Sequence, residues 1–254
     1  MASDDYDHSV PNPALEYRLR LFAVPAAIVL ALLFHASPTG HFLQRTFLSM
    51  IVHEVGHAVT AWWCGYAAIP GLWKTLIPET RGLVAPLVVF AGSGALIYLG
   101  VVTERRAMMV IGGVLAALAL VGTVVISRGT ATVLITFGGD GGAMVLGTLL
   151  MMTFFVPPDH RLVATHLRWG FLVIGAAAYV DSFATWIWGP IPFGEIEGVG
   201  ASDPSRLVDE LGWTQSQLVH RYQWLGVACF IALAVMWYRA VRIAKQELPV
   251  EPAA

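Results

Sequence analysis

Long apolar blocks, separated by short charged or proline- and glycine-containing stretches, run through almost the whole chain. Seven of these blocks have about the length that an α-helix needs to cross a bilayer, roughly 20 residues. Because backbone polar groups must be satisfied internally at membrane depth, such blocks fold as helices. The sequence therefore predicts an all-α, polytopic membrane protein with about seven transmembrane helices. The predicted spans are approximately 21–34, 46–64, 83–102, 107–126, 132–156, 167–188 and 223–241.

The composition excludes other classes of protein. Of the 254 residues, 57% are hydrophobic and 13% are charged, whereas a soluble domain carries about 25% charged residues. The formal net charge is -2, and no basic cluster is large enough to follow a phosphate backbone, so we expect no nucleic-acid partner. The cysteines, Cys64 and Cys229, lie in apolar stretches, where free thiols behave as small hydrophobes.

One membrane domain makes up most of the chain. We interpret residues 1–20 as a polar N-terminal tail, 21–242 as the transmembrane domain and 243–254 as a C-terminal tail. The long connection 189–222 contains Asp203 followed by Pro204, and Gly212 lies further on. An N-cap Asp, a Pro at the first helical position and a Gly stop predict a short surface helix there, and N-capping accounts for Asp203.

The second predicted span contains the sequence His53-Glu54-Val55-Gly56-His57. Two histidines four residues apart lie on the same face of a helix and can bind one zinc ion, with the glutamate as general base. A charged group at the centre of a span costs about 2.5–3.5 kcal/mol on insertion scales and is rarely kept without a partner or a function. The position of the motif inside an apolar helix therefore favours a metal site over a chance match or a structural hydrogen-bond cluster.

Catalytic zinc usually has a third protein ligand, and two acidic residues lie at membrane depth to provide it. Asp181 lies within a continuous apolar helix, where an unpaired carboxylate is expensive; the alternatives are an ion pair with Arg168 or a buried hydrogen bond. Asp140 lies in a glycine-rich interruption of the fifth span, at 138–142. A turn, or a water-lined re-entrant segment, accounts for Asp140 without a metal.

The motif in its membrane helix resembles the site-2 protease family of intramembrane zinc metalloproteases, in particular the small peptidase-like branch without a PDZ domain. The resemblance extends from about Phe42 to Trp237, and it implies that Asp181 is the third zinc ligand. Better-studied members carry Asn-x-x-Pro and Leu-Asp-Gly motifs; the first is absent here, and Asp140-Gly141 keeps Asp140 as the rival ligand. The other segments that carry the resemblance are Thr80-Arg81-Gly82, Ala91-Gly92-Ser93-Gly94, Tyr179-Val180-Asp181 (one residue shorter than the family's Tyr-x-x-Asp) and Ser202-Asp203-Pro204-Ser205-Arg206-Leu207. The place of Asp203 in the last segment leaves a substrate-facing role open beside N-capping.

The resemblance implies a zinc metalloendopeptidase, a hydrolase that cleaves membrane-anchored protein substrates within the lipid bilayer. We expect His53, His57 and Asp181 to bind Zn²⁺ and Glu54 to act as the catalytic base, in a multi-pass protein of the bacterial inner membrane. The glycine interruption around Asp140 is a hypothetical gate for the substrate. The alternative is a non-enzymatic membrane scaffold or metal carrier that retains the zinc site, since a carrier needs the ligands but not Glu54.

Overall fold

The computed structural model describes residues 12–196 and 200–248. Within these ranges the chain is almost entirely helical, and the only strands are two antiparallel pairs of two residues each. The α-helices are α1 (Pro13–His35), α2 (Pro38–Gln44), α3 (Met50–Trp63), α4 (Val84–Val102), α5 (Arg106–Leu120), α6 (Arg128–Met152), α7 (Arg161–Ala164), α8 (Leu167–Ile187), α9 (Asp203–Ser205) and α10 (Gln215–Gln246). The strands are β1 (Ile69–Pro70), β2 (Thr75–Leu76), β3 (Glu195–Ile196) and β4 (Gly200–Ala201).

Several helices continue into short segments of different winding. These segments are π-helical at Arg45–Ser49, Val121–Val125 and Arg206–Glu210, and 3₁₀-helical at Thr153–Phe155. The first of them joins α2 to α3, so the zincin-like motif begins just after a π-helical turn. Such turns often occur at functional sites.

The described part of the chain contains six helices that are long and apolar enough to cross a membrane. The fold is therefore that of an all-α, multi-pass membrane protein, as the apolar blocks predict. The predicted span 46–64 is not one of the six: it corresponds to the π-helical turn Arg45–Ser49 and α3, and α3 carries the polar side chains of the zincin-like motif. The six spans are Pro13–His35, Val84–Val102, Arg106–Val125, Arg128–Phe155, Leu167–Ile187 and Gln215–Gln246.

The centre of the protein is formed by α3, α6 and α8. Helix α6 packs against both of the others, and α1 and α10 pack on the outside of α8 and α6. In the apolar stretches of α6 and α8, 56% and 61% of the residues are buried, whereas in those of α4 and α5 the share of buried residues is 17% each. The α4–α5 pair thus presents its apolar side chains to the bilayer, while the polar motif of α3 is enclosed by protein.

Helix α6 runs without interruption through its glycine cluster, so the predicted break is wrong, and the hypothetical gate lacks the broken helix on which it was based. A Cβ atom on Gly56 of α3 would clash with the carbonyl oxygen of Gly138, and one on Gly142 would clash with the Cα atom of Gly56. The glycines therefore serve a close backbone-to-backbone contact between α3 and α6, as small residues do where membrane helices pack.

The loop between α8 and α10 contains the predicted short helix, but its cap lies one residue earlier than expected. The Ser202 hydroxyl, and not the Asp203 carboxylate, accepts the hydrogen bond from the backbone N–H of Ser205. Asp203 is the first residue of α9, which continues into the π-helical segment. Gly212 then follows with a φ of 75°, a conformation that glycine adopts without strain. The side chain of Asp203 is therefore free for another role.

A buried ion-pair network joins the start of α1 to the start of α8. The two amino groups of Arg168 donate to the two carboxylate oxygens of Glu16 at 3.0 and 3.2 Å, and Nε of Arg20 donates to Oε1 at 2.9 Å. All three side chains are nearly inaccessible. The alternative in which Arg168 pairs with Asp181 is therefore wrong, because Arg168 is taken up by Glu16. Both cysteines are free and buried, as expected.

Candidate metal centre

His53 and His57 lie one turn apart on α3, and both rings are enclosed by protein. Their Nε2 atoms are 3.1 Å from each other, and the ring planes are nearly perpendicular. The structure thus brings the two nitrogens to one point, as the four-residue spacing predicts. Two imidazoles in this arrangement can share a single metal ion.

The opposite nitrogen of each ring is held by an acceptor on α6. His57 Nδ1 donates to the backbone carbonyl of Ile135 at 2.7 Å, and His53 Nδ1 donates to Oδ1 of Asp140 at 3.0 Å. Because a carbonyl and a carboxylate can only accept, the proton of each neutral ring resides on Nδ1. The lone pairs of both Nε2 atoms are therefore directed at the shared point, as in the histidine ligands of metalloproteins.

The third group at this point is the carboxylate of Asp203, from α9. Its Oδ2 atom lies 3.2 Å from Nε2 of His53 and 3.0 Å from Nε2 of His57. Ligands at about 2.0–2.1 Å around a tetrahedral zinc ion are separated by about 3.3 Å, so the spacing of these three atoms fits zinc. A carboxylate binds a metal ion in its ionised form, and Asp203 is the acidic group that lies beside both Nε2 atoms.

The structure places Asp181 away from the two histidines, which contradicts its predicted role as their third ligand; the carboxylate beside both Nε2 atoms is that of Asp203. Asp181 faces the other side of α8, where His41 and Arg45 contact its two oxygens at 2.9 Å. The hydroxyl of Ser49 also donates to this carboxylate. A buried carboxylate in an apolar helix needs partners, and these three side chains provide them.

Asp140 supports His53 from α6 and does not join the three converging atoms. Its Oδ1 atom accepts from His53 Nδ1, and its Oδ2 atom accepts from the indole N–H of Trp186 at 3.1 Å. Both oxygens are thus engaged away from the Nε2 atoms. Within the described residues, Asp140 is therefore a positioning residue for His53, and not the rival ligand that the Asp-Gly sequence predicts.

Glu54 is buried next to His53 and is oriented by a hairpin that follows α3. Strands β1 and β2 pair antiparallel, with Ile69 opposite Leu76. The hydroxyl of Thr75 in β2 lies 2.7 Å from Oε2 of Glu54 and 2.8 Å from its backbone carbonyl oxygen. The hairpin therefore anchors the carboxylate that the motif designates as the base.

A cavity of about 680 Å³ adjoins these residues. Its wall includes Thr75, which contacts Glu54, and Ile135, whose carbonyl accepts from His57. Lys74, Glu79 and Arg206 also line it, so the cavity combines charged groups with the apolar side chains of the hairpin. The cavity is lined by neighbours of the centre and not by His53, Glu54, His57 or Asp203 themselves.

Gly139 provides the space in front of the two imidazoles. A Cβ atom at this position would lie 2.6 Å from the Nε2 atoms of both His53 and His57. Any larger residue would therefore clash with both imidazoles at the nitrogens that face each other. This requirement explains one glycine of the cluster, just as the contact with Gly56 explains its neighbours.

Three residues of the candidate metal centre and its surroundings were not predicted in these roles from the sequence. Asp203 has a signal in the Ser-Asp segment of the family resemblance, but the Asp-Pro pattern also fits a helix cap. Gly139 and Thr75 have no local signal, because their roles depend on contacts with α3.

Comparison of the chain with family models, with curated proteins and with solved structures finds no match.

Proposed function

We propose that the chain is an intramembrane zinc metalloprotease that hydrolyses peptide bonds of membrane-anchored proteins, as its resemblance to the site-2 protease family implies. The observation that carries this proposal is the pair of Nδ1–H donors on His53 and His57, which directs both Nε2 lone pairs at Asp203. Zinc is the proposed ion, because two imidazoles, one carboxylate and an open fourth position are typical of catalytic zinc sites.

Zinc in such a site supplies Lewis acidity, which polarises a carbonyl group and makes water more acidic. Glu54 then accepts a proton from the water that attacks the peptide carbonyl carbon, and passes a proton to the nitrogen of the leaving amine. Thr75 holds the Glu54 carboxylate by a hydrogen bond at 2.7 Å. Asp140 holds His53 in the tautomer that leaves Nε2 unprotonated.

The substrate is proposed to be a membrane-anchored segment that reaches the centre through the cavity beside the β1–β2 hairpin. A substrate helix keeps its carbonyl groups in its own hydrogen bonds and must unwind before attack. The hairpin and the loop that carries Asp203 both contact residues of the centre. They are therefore the elements that we propose to lie nearest to the substrate. The proposed location is the inner membrane of a bacterium.

The oriented base favours a hydrolase over a metal carrier or scaffold. A carrier requires ligands that bind and release the ion, but it has no need for a buried glutamate beside them. Glu54 is 5% exposed, and burying a carboxylate is costly unless it is hydrogen-bonded or used. Thr75 donates a hydrogen bond to the Glu54 carboxylate. The use that we propose for this carboxylate is proton transfer during hydrolysis.

Glu54→Gln separates the two functions, because it removes the base and preserves the shape of the side chain. We expect purified Glu54→Gln protein to bind as much zinc as wild type, while turnover falls by about 10²–10⁴-fold. In cells, a membrane-anchored protein should accumulate uncleaved in the variant strain and be absent or shortened with wild type. Comparison of the two membrane proteomes identifies this protein.

Glu104→Gln is the matched control, since Glu104 is exposed in the turn between α4 and α5. It should leave both zinc content and the membrane proteome unchanged. If Glu54→Gln binds zinc and complements a deletion as well as wild type does, then hydrolysis is not the function. The carrier or scaffold would replace it.

A further inference from the structure

A second group of histidines and an aspartate lies where α1, α2 and α8 meet. Asp181 is completely buried, and its Oδ1 atom is 2.9 Å from Nε2 of His41 and 3.7 Å from Nδ1 of His35. The two rings are adjacent, with centroids 4.3 Å apart. Neither histidine belongs to the zincin-like motif, and the proposed hydrolysis does not use this group.

His35 has an unsatisfied nitrogen in this group. Its Nδ1 atom is buried, and within the described residues no hydrogen-bond partner contacts it. At 3.7 Å from Asp181 Oδ1 it is too far away for a hydrogen bond. A buried nitrogen without a partner costs about 1–3 kcal/mol, so the arrangement is incomplete as a hydrogen-bond cluster.

We propose that His35 Nδ1, His41 Nε2 and Asp181 Oδ1 form a second metal site, for a divalent first-row transition ion. The three atoms lie within 4.8 Å of one another, and binding requires that the side chains rotate until the ligand separations are about 3.3 Å, as around such an ion. An ion between them would satisfy His35 Nδ1. Imidazole and carboxylate ligands suit zinc and its neighbours, whereas calcium and magnesium prefer oxygen ligands alone.

Arg45 and Ser49 fix the carboxylate for this role. Both donate to Oδ2 of Asp181, so Oδ1 is the oxygen that faces the histidines. His41 and Arg45 have side chains that are 41% and 31% exposed. The group therefore opens to the outside of the protein along His41, which gives an ion a path of entry.

The charges predict that this second site is weaker than the centre on α3. The carboxylates of Asp203 and Asp140 both face the motif histidines, whereas Asp181 is paired with the guanidinium of Arg45. A divalent cation thus meets two negative charges at one centre and a neutral pair at the other. We expect the second ion to bind at least about tenfold more weakly.

Metal titration of the purified full-length protein tests the proposal, with Zn²⁺ and with Co²⁺ as a spectroscopic probe. Wild type should bind two equivalents, with the weaker one lost first to a competing chelator. His35→Ala and His41→Ala should each bind one, and His57→Ala should retain the weaker one. His220→Ala, which alters an exposed histidine on α10, is the matched control and should bind two.

If wild type never binds more than one equivalent, or if His35→Ala and His41→Ala both keep two, the second site does not exist. His41→Gln guards against misfolding, because its amide can still donate to Asp181; it should fold as wild type and also lose the weaker ion. Retention of that ion by well-folded His41→Gln overturns the proposal. Loss of the tight ion on changing His57 concerns only the first centre, so the two proposals fail separately.

Discussion

The Oδ2 atom of Asp203 lies 3.0 Å from Nε2 of His57, although one residue belongs to a loop between α8 and α10 and the other to helix α3. This contact makes Asp203 the third member of the candidate metal centre. Its partner in the sequence, Ser202, takes over the capping of α9. Because Ser202 caps the helix, the Asp203 carboxylate can face the two histidines.

Asp203→Ala should therefore remove most of the zinc from the purified protein, because a two-histidine site has lost its only charged ligand. Asp181→Asn should keep the ion of the α3 centre, which is the tighter of the two. Metal analysis after equilibration with a chelator distinguishes the Asp203→Ala variant from the Asp181→Asn variant. Asp209→Ala, an exposed acid on the same loop, controls for the lost charge; equal zinc in the Asp203 and Asp209 variants would contradict the assignment.

Asp140→Asn should weaken zinc binding by about 10–100-fold, the usual effect of removing the partner of a histidine ligand. The change replaces the carboxylate that accepts from His53 with a neutral amide. Trp186→Phe removes only the other hydrogen bond of Asp140 and should have a smaller effect. Competition with a chromophoric chelator measures both affinities, and wild-type affinity in Asp140→Asn would show that Asp140 does not support the centre.

Gly139→Ala should abolish zinc binding at the α3 centre and leave the weaker second ion in place, since the new Cβ atom would lie 2.6 Å from the Nε2 atoms of both His53 and His57. The substitution is otherwise favourable for a helix, because alanine has a higher helix propensity than glycine by about 1 kcal/mol. Gly113→Ala is the matched control, since within the described residues a Cβ there would have no atom within 4 Å other than those of its chain neighbours and its own helix backbone. Zinc content and thermal unfolding in detergent test the pair; a zinc-replete Gly139→Ala protein would contradict the location of the centre.

Thr75→Val should lower turnover about tenfold without loss of zinc, because a hydrogen bond to a charged group contributes about 1.5 kcal/mol or more. The variant removes the hydroxyl that contacts Oε2 of Glu54 and preserves the shape of the side chain. Thr75→Ser retains the hydroxyl and should retain turnover. Cleavage of the substrate found with Glu54→Gln is the assay, and unaltered cleavage by Thr75→Val would exclude a role for the hairpin in orienting the base.

Local sequence patterns predict the class of fold well. Hydrophobic blocks give the helices nearly to the residue for α4 and α8, and the four-residue spacing brings His53 and His57 together. They fail at Asp203, because Asp-Pro is also a good helix start and its contact with α3 depends on how the loop folds back. They also fail at 138–142, where glycines that allow two helices to touch look the same in sequence as glycines that break one.

The origin of Asp203 in a late part of the chain has a consequence for biosynthesis. A protein is made and folded from its N terminus, so His53 and His57 enter the membrane well before the segment that carries Asp203 is synthesised. A nascent chain that ends before this segment has the base and two nitrogens but lacks the carboxylate that completes the centre. Metal binding at the proposed centre would thereby wait until α8 and the loop beyond it are in place, and the proposed hydrolysis would begin only in the finished chain.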